Sequence, residues 1–309
     1  MNAGEGSLLQ PRILFPFALI TLIWGSTWIV ITEQLGTVPP TWSVAYRFAI
    51  GAAAMFLYAR WTGASLRIGR EGHLLALLFG IPQFCFNYNL VYAAELHVTS
   101  GLVAVVFALL IVPNALLARL FLKQKMTGGF LAGSAVALAG VALLFLQEFR
   151  ASGATPANVR AGIGLALLGI LAASISNVMQ ASERLRRRPV AAMLAWGMVY
   201  GVLADVALSW LLFGPPVIET RLGYWVSLLY LALAASALAF AAYYHVIRAI
   251  GPARAAYSSI LIPILAMGFS TAFEHYHWSF AAVMGGVLTL AGLLLALRAK
   301  RPPVPAPEG

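Results

Sequence analysis

The chain has 309 residues, of which 61% are hydrophobic and only 10% are charged, and its mean hydropathy is +0.86. A single soluble core cannot hide so much apolar surface, so the composition excludes a soluble domain and indicates lipid as the solvent. The formal charge of +10 does not indicate a nucleic-acid partner, because the basic residues form short clusters between apolar runs rather than a stripe on a polar domain.

The apolar runs, taken in chain order, predict an all-α membrane protein with ten transmembrane helices. Each run is about 20 residues long, which is the length that crosses a hydrocarbon core of roughly 30 Å. The first run is interpreted as a retained helix, because it carries two tryptophans and ends at Glu33, unlike a cleavable signal peptide. The third/fourth and eighth/ninth boundaries are the least sharply marked. The runs lie near 13–32, 42–60, 73–94, 98–120, 128–147, 161–181, 190–213, 222–247, 253–273 and 280–298.

The distribution of charge supports the number ten, because cytoplasmic loops of membrane proteins carry an excess of Lys and Arg. With ten helices, sixteen basic residues fall on one face and only Arg150, Arg160 and Arg221 on the other. We therefore expect both termini to be cytoplasmic, in a plasma membrane that would be the inner membrane of a bacterium. The sixteen are Arg12, Arg60, Arg67, Arg70, Arg119, Lys123, Lys125, Arg184, Arg186, Arg187, Arg188, Arg248, Arg254, Arg298, Lys300 and Arg301.

The two halves of the sequence resemble each other at an offset near 150. Gly133 to Gly140 matches Gly285 to Gly292, with the outer glycines seven apart and Leu-Ala-Gly shared at the end. Five helices per half is an odd number, so the second half must be inverted, as in many secondary transporters. The expected divisions are an N-terminal cytoplasmic tail at 1–12, five-helix repeats at 13–150 and 156–299, and a disordered cytoplasmic tail at 300–309.

The sequence resembles the drug/metabolite transporter superfamily, in its EamA-type branch of ten-helix carriers. The resemblance covers nearly the whole chain and is carried by Trp24 to Trp28 (WGSTW), Pro39 to Phe48 with its PPTW and Arg-Phe, and Thr99 to Gly101 before Pro113. The second half repeats the last of these from Gly251 to Pro263. The resemblance implies export of metabolites or amino acids, and the aromatic third and eighth helices are similar to those of YddG-like amino-acid exporters. The acid that relatives often carry after the fourth helix is Gln124 here.

Polar and aromatic residues inside the spans predict a midplane substrate site, because polar groups that face lipid are costly. The third and eighth helices lie at equivalent levels of the two halves and should meet at the pseudo-two-fold axis. Interface anchoring by the tyrosines, and helix packing by the tryptophans and Asn177, are the alternatives. The predicted substrate-binding residues are Trp24, Trp28, Asn87, Tyr88, Tyr92, Asn177, Tyr244 and His245, with Gln83, Asn89 and Ser174 as further polar residues nearby.

Two prolines lie at equivalent positions of the two halves and predict kinks. Pro113 and Pro263 each remove a helical hydrogen bond, which would free the carbonyls of Leu109 and Ser259. A fixed bend and a hinge that flexes during transport are both consistent with this pattern.

Few ionisable residues lie within the spans. Asp205 is the possible ion-coupling residue, and it must be protonated, paired with a donor that the sequence does not reveal, or hydrated. Arg47 lies about 7 Å into the second helix, where we expect a structural ion pair, with Glu33 within its reach. Because no dense acidic relay is present, facilitated diffusion or weak proton coupling is expected.

The predicted function is export of small metabolites, with aromatic or hydrophobic amino acids preferred and cationic drugs or other metabolites as the alternative. An enzyme is disfavoured, because the chain has no His-Glu-x-x-His and only one intramembrane Asp. A channel is a further alternative that saturable flux would exclude. The single Cys85 excludes an intrachain disulfide and a cysteine metal cluster, and no cofactor is expected. The expected partners are a small-molecule substrate and membrane lipid, in a monomer or weak oligomer.

Overall fold

A computed structural model describes residues 10–123, 126–151, 156–180, 182–250 and 258–298, and these contain helices and connecting turns but no strand. Seven helices of this part are long and apolar enough to cross a membrane, and three shorter apolar stretches belong to the fifth, ninth and tenth. A short helix, Glu183–Arg186, precedes the seventh. In chain order the ten are Pro11–Thr32, Pro40–Trp61, Gly69–Glu95, Ser100–Leu122, Gly128–Ala151, Pro156–Gln180, Val190–Phe213, 222–250, Ser258–Phe273 and Phe280–Arg298.

The helices match the apolar runs to within a few residues, and local signals explain several ends. Pro11 and Pro40 occupy the first helical position, where the missing N–H costs nothing. Gly214 ends the seventh helix with φ 76°, a conformation that glycine adopts without strain. The least sharply marked boundary, between the eighth and ninth helices, falls at residues 251–257, outside the described part.

Equivalent helices of the two halves have equivalent neighbours. Where a helix of the first half packs on the second half, its counterpart packs on the first. The second helix packs against the seventh, and the fifth against the tenth, so each of these pairs joins equivalent helices. The third contacts the sixth and seventh, and the eighth contacts the first and second. Likewise the fourth lies on the sixth and the ninth on the first. The chain therefore forms two five-helix halves of opposite orientation, as predicted.

The glycines of the sequence repeat form the contact between the fifth and tenth helices. A Cβ on Gly133 would lie 2.7 Å from the Gly292 carbonyl oxygen, and one on Gly140 would lie 2.6 Å from that of Gly285. The reverse distances, from Gly292 and Gly285, are 2.6 and 2.8 Å. Seven residues are about two turns, so both contacts fall on one antiparallel seam. Such close backbone approach is available only to small residues.

The third and eighth helices each contain a π-helical segment near the middle, at Ile81–Phe86 and Tyr230–Leu238. The offset near 150 brings the first segment onto 231–236, inside the second. π-Helical turns are rare and concentrate at functional sites, because they displace backbone carbonyls from their usual partners. Phe84 and Phe240 bring the two helices together here, with ring centroids 6.4 Å apart. The predicted meeting of these helices is therefore present.

Contacts between the halves lie at the predicted outer face. Val38, Trp42 and Tyr224 are buried in one cluster where the second and eighth helices begin. The Gln34 amide donates to the Tyr224 carbonyl at 2.9 Å, and the hydroxyls of Ser43 and Tyr224 lie 2.9 Å apart. By contrast, the half of the fourth helix nearest the predicted cytoplasmic face, Ile111–Leu122, has no buried residue. The described contacts thus join the two halves at the predicted outer side.

A carboxylate in the loop before the eighth helix is bonded to an arginine of the same loop. Arg221 donates from Nε to Glu219 Oε2 at 3.1 Å, and this bond is the main cause that lowers the pKa of Glu219 below 4.5. Stability from this pair is therefore fully present above pH 4.5 and is lost as the pH falls through the lowered folded value. We expect Glu219→Gln to lower the unfolding temperature slightly at pH 7 and to match the parent at the acidic end. Equal unfolding temperatures of the two proteins at pH 7 would contradict this.

Candidate functional site

An aromatic group lies between the first and eighth helices. The ring of Trp24 packs edge-on against Phe240 and Tyr243, with centroids 5.7 and 5.1 Å away. Its indole N–H donates to the carbonyl oxygen of Ala235 at 3.1 Å, within the π-helical segment of the eighth helix. We call Trp24, Phe240 and Tyr243 the aromatic group. Because Trp24 is only partly buried, its remaining surface is available to a ligand.

Arg47 lies beside this group, and the expected ion pair with Glu33 is wrong. The arginine is fully buried, with 0% of its surface exposed, and no carboxylate of the described residues lies within 4.0 Å of it. Glu33 instead lies 3.9 Å from Arg221. The Arg47 side chain points across the interface between the halves, where Nε donates to Ser236 Oγ at 3.3 Å. Ser236 directly follows Ala235, so consecutive residues of one π-helical segment hold Arg47 and Trp24.

Two tyrosines of the third helix complete the surroundings of Arg47. Its guanidinium carbon lies 4.5 Å from the centroid of the Tyr88 ring, a cation–π distance, and Nη1 donates to the Tyr92 hydroxyl at 3.4 Å. Tyr92 is fully buried, whereas Tyr88 is partly exposed. We call Arg47, Tyr88, Tyr92 and Ser236 the Arg47 site. It joins the second and third helices of one half to the eighth helix of the other.

Trp28 and Asn177 lie elsewhere, on either side of the fourth helix. Trp28 packs on Phe107, with centroids 5.1 Å apart. The Asn177 amide donates to Asn114 Oδ1 at 3.5 Å, next to Pro113. Both predicted residues therefore contact the fourth helix rather than the Arg47 site, although each stays partly exposed.

The remaining predicted binding residues come from the third and eighth helices. Asn87 is buried with 4% of its surface exposed, and its Oδ1 has no hydrogen-bond donor among the described residues. An unpaired buried amide oxygen is costly, so it is a candidate acceptor for a ligand. Tyr244 and His245 lie on the eighth helix, but their side chains are outside the described part of the chain.

Pro113 and Pro263 differ in their effect on the helix that contains each of them. The fourth helix is interrupted between Ala108 and Ile111, just before Pro113, and the Leu109 carbonyl accepts a hydrogen bond from the Val112 N–H at 2.8 Å instead of staying free. Pro263 lies inside the ninth helix, which is continuous over Ser258–Phe273. The predicted kink is thus a break of the helix in the first half only, among the described residues.

This difference gives a prediction about the hinge. We expect Pro113→Ala to slow transport several-fold, because a restored N–H at position 113 would let the helix run continuously past Leu109. Pro263→Ala should have a smaller effect, since the ninth helix is already continuous. Initial rates in proteoliposomes would measure both. If the double variant has the parent's turnover, the hinge hypothesis is lost.

Asp205 has the donor that the sequence did not reveal. Its Oδ1 accepts a hydrogen bond from the Asn89 amide at 2.6 Å, and the Cys85 thiol is within hydrogen-bond reach. The carboxyl group is fully buried between the third and seventh helices, and Oδ2 has no partner among the described residues. This group belongs to a polar cluster at the π-helical segment of the third helix, so Asp205 keeps its candidacy for ion coupling.

Sequence reasoning missed Ser236 and Phe240 as site residues and placed Arg47 outside the site. One signal was present for Arg47, since it is the one Lys or Arg of the sequence that lies more than a turn from both ends of a predicted span. Ser236 follows a run of alanines and carries no comparable signal. Its role depends on the π-helical segment, where its hydroxyl donates to the Leu231 carbonyl, five residues earlier, at 2.9 Å.

Comparison with known proteins agrees with this architecture. The profile of the EamA-like transporter family matches the chain twice, at residues 12–146 and 160–298. Protein PagO of Salmonella typhimurium is 22% identical over 291 residues, which cover 93% of both chains. A probable terminal-alkyne amino-acid exporter of Streptantibioticus cattleyicolor is 25% identical over 93% of this chain and 94% of its own. The uncharacterized inner membrane transporter YedA of Escherichia coli is 29% identical over 82% of this chain and 80% of its own.

A solved crystal structure shares the fold, with a TM-score of 0.67 at 20% identity over 91% of this chain and 95% of that one. The resemblance to the drug/metabolite transporter superfamily is therefore confirmed, and so are membrane embedding and the exclusion of an enzyme, since this family and its relatives are transporters. The chain is a multi-pass inner-membrane protein that belongs to the EamA-like transporter family.

Proposed function

We propose that this transporter exports small metabolites, with aromatic or hydrophobic amino acids preferred, by alternating access to a site between its two halves. The observation that carries the proposal is the aromatic group beside the Arg47 site, since both are built across the interface of the halves. Rings of Trp and Phe bury an apolar side chain and stack with an aromatic one. The name of the amino-acid exporter among the relatives supports the same class of substrate.

Alternating access follows from the inverted architecture. If the two halves exchange conformations, a site on their pseudo-two-fold axis becomes open first to one side and then to the other. In the described conformation, contacts between the halves lie at the predicted outer side. The excess of basic residues on the opposite face supports cytoplasmic termini, so this conformation would load substrate from the cytoplasm.

Uptake of a panel of labelled amino acids into proteoliposomes tests the proposal. We expect saturable uptake of aromatic and hydrophobic amino acids, about tenfold slower in Trp24→Ala, because loss of one aromatic contact with the substrate costs on the order of 1.4 kcal/mol. Tyr88→Ala should also be slower. Trp61→Ala is the matched control, since Trp61 is 85% exposed at the end of the second helix.

The outcomes separate the alternatives. Absence of saturable uptake for every amino acid would overturn the preferred substrate class. Uptake of organic cations instead would favour cationic drugs, which the same rings could hold by cation–π attraction. Channel-like conductance in planar bilayers would contradict a carrier. Uphill accumulation driven by a pH gradient would overturn the expectation of facilitated diffusion or weak coupling.

A further inference from the structure

The guanidinium of Arg47 is a permanent charge that is buried without a carboxylate partner among the described residues. Arginine stays protonated at all physiological pH values, so burial cannot be relieved by loss of a proton. Isolated buried charges are costly, and most are paired. Here the hydroxyls of Ser236 and Tyr92 and the rings of Tyr88 and Phe48 lie around the cation, with the ring centroids 4.5 and 5.3 Å from the guanidinium carbon. None of these groups carries a negative charge.

The hydrogen bonds that Arg47 makes leave donor capacity unused. Guanidinium has five N–H groups, and the described contacts use two, at 3.3 and 3.4 Å, which are long for a charged donor. Its planar fork matches both oxygens of a carboxylate. The described contacts therefore leave N–H donors and a positive charge that a carboxylate would satisfy.

Glu95 is the nearest competing explanation. It ends the third helix, one turn beyond Tyr92, within electrostatic range of Arg47 but not within ion-pair distance. Both of its carboxyl oxygens are buried and have no hydrogen-bond donor among the described residues. The nearby Glu274 is engaged with Ser100, whose N–H and Oγ–H donate to it at 3.2 and 2.7 Å. Neither acid neutralises Arg47 by contact.

We propose that Arg47 binds the carboxylate of the transported substrate and thereby restricts the transporter to carboxylates, including zwitterionic amino acids, against amines that lack this group. The proposal rests on the proposed function and names the chemical class that its site selects. The aromatic group would take the substrate's side chain, because the residues that hold Arg47 and Trp24 are adjacent in the eighth helix.

Competition in proteoliposomes tests the proposal with three compounds that share a phenyl ring. Labelled L-phenylalanine is the transported probe, 3-phenylpropionate has the carboxylate without the ammonium, and 2-phenylethylamine has the ammonium without the carboxylate. We expect phenylpropionate to inhibit uptake at a concentration at least about tenfold lower than phenylethylamine, as one charged bidentate contact implies. Arg47→Gln should remove this preference, and Arg47→Lys should keep part of it.

The preference between the two inhibitors is the decisive readout, because Arg47 also ties three helices together. A merely structural role would slow uptake of phenylalanine in Arg47→Gln and leave the preference unchanged. Glu95→Gln tests the competing explanation, and we expect this variant to retain the preference for phenylpropionate. If it loses the preference to the same extent as Arg47→Gln, the role belongs to an Arg47–Glu95 pair. If Arg47→Gln fails to fold, the preferences measured for the parent and for Arg47→Lys test the proposal.

Two further results identify which proposal fails. If the parent transports phenylalanine and both inhibitors act equally, carboxylate recognition by Arg47 is overturned and amino-acid export stands. If the parent transports no amino acid, the proposed function is overturned and this inference with it.

Discussion

Gly285→Ala is expected to destabilise the protein by about 1–3 kcal/mol, whereas Gly286→Ala is expected to leave its stability nearly unchanged. A Cβ at Gly285 would lie 2.8 Å from the Gly140 carbonyl oxygen and 3.0 Å from the Leu144 backbone nitrogen. These are backbone atoms, which cannot move aside as a flexible side chain can. A Cβ at Gly286 would meet nothing within 4 Å. The two variants therefore differ only in the face of the tenth helix that gains a methyl group.

Unfolding temperatures of the purified proteins in one detergent would measure the difference. Gly140→Ala is the symmetry-related variant, and it should lose about as much stability as Gly285→Ala, because its Cβ would lie 2.6 Å from the Gly285 carbonyl oxygen. Equal unfolding temperatures for the Gly285 and Gly286 variants would show that the seam between the fifth and tenth helices does not depend on close backbone contact.

Asp205→Ala is expected to cost about 1–3 kcal/mol, because one N–H of the partly buried Asn89 amide would lose its acceptor. Asp205→Asn keeps a side-chain oxygen for this bond and removes the ionisable group, so it should fold close to normally. Cys85 and Asn89 are the described side chains that face the carboxyl group from the third helix. The pair of variants thus separates the structural role of Asp205 from any role in coupling.

If weak proton coupling is present, it should depend on Asp205. We expect any effect of a pH gradient on phenylalanine uptake in the parent to disappear in Asp205→Asn, while uptake without a gradient persists. Initial rates in proteoliposomes with and without an imposed gradient measure this. A gradient effect of unchanged size in Asp205→Asn would remove Asp205 from the list of coupling residues.

The glycine seam shows how much of the fold could be predicted from the sequence. Hydropathy gave ten helices to within a few residues of their ends, because crossing the bilayer requires a run of apolar residues of nearly fixed length. The seven-residue spacing from Gly133 to Gly140 and from Gly285 to Gly292 marked the repeat, and the structure places these glycines in contact. These features are local, or repeat locally, so the sequence carries them.

Within the candidate site, prediction was only partly successful. Tyr88, Tyr92 and Trp24 were predicted to bind substrate, because polar and aromatic groups in a span avoid lipid. The structure places them near the contact of the halves, and their role in binding stays a prediction. Arg47 was assigned to an outer ion pair, since its distance to Glu33 along the chain is short and its distance to Ser236 is long. The expectation was based on closeness along the chain, which favoured Glu33 over Ser236, the residue that Arg47 contacts.

By itself the sequence determined the number of helices, their lengths, the inversion of the halves and the glycine repeat, whereas the contact between these glycines was seen only in the structure. Only the tertiary structure decided that Arg47 contacts Tyr88, Tyr92 and Ser236, and that Asn89 donates to Asp205. The physical reason is that hydropathy indicates which residues lie inside the membrane. The partner of a buried polar group depends instead on how each helix is rotated about its axis. Two π-helical segments change that rotation midway through the third and eighth helices, and no periodicity in the sequence indicated them.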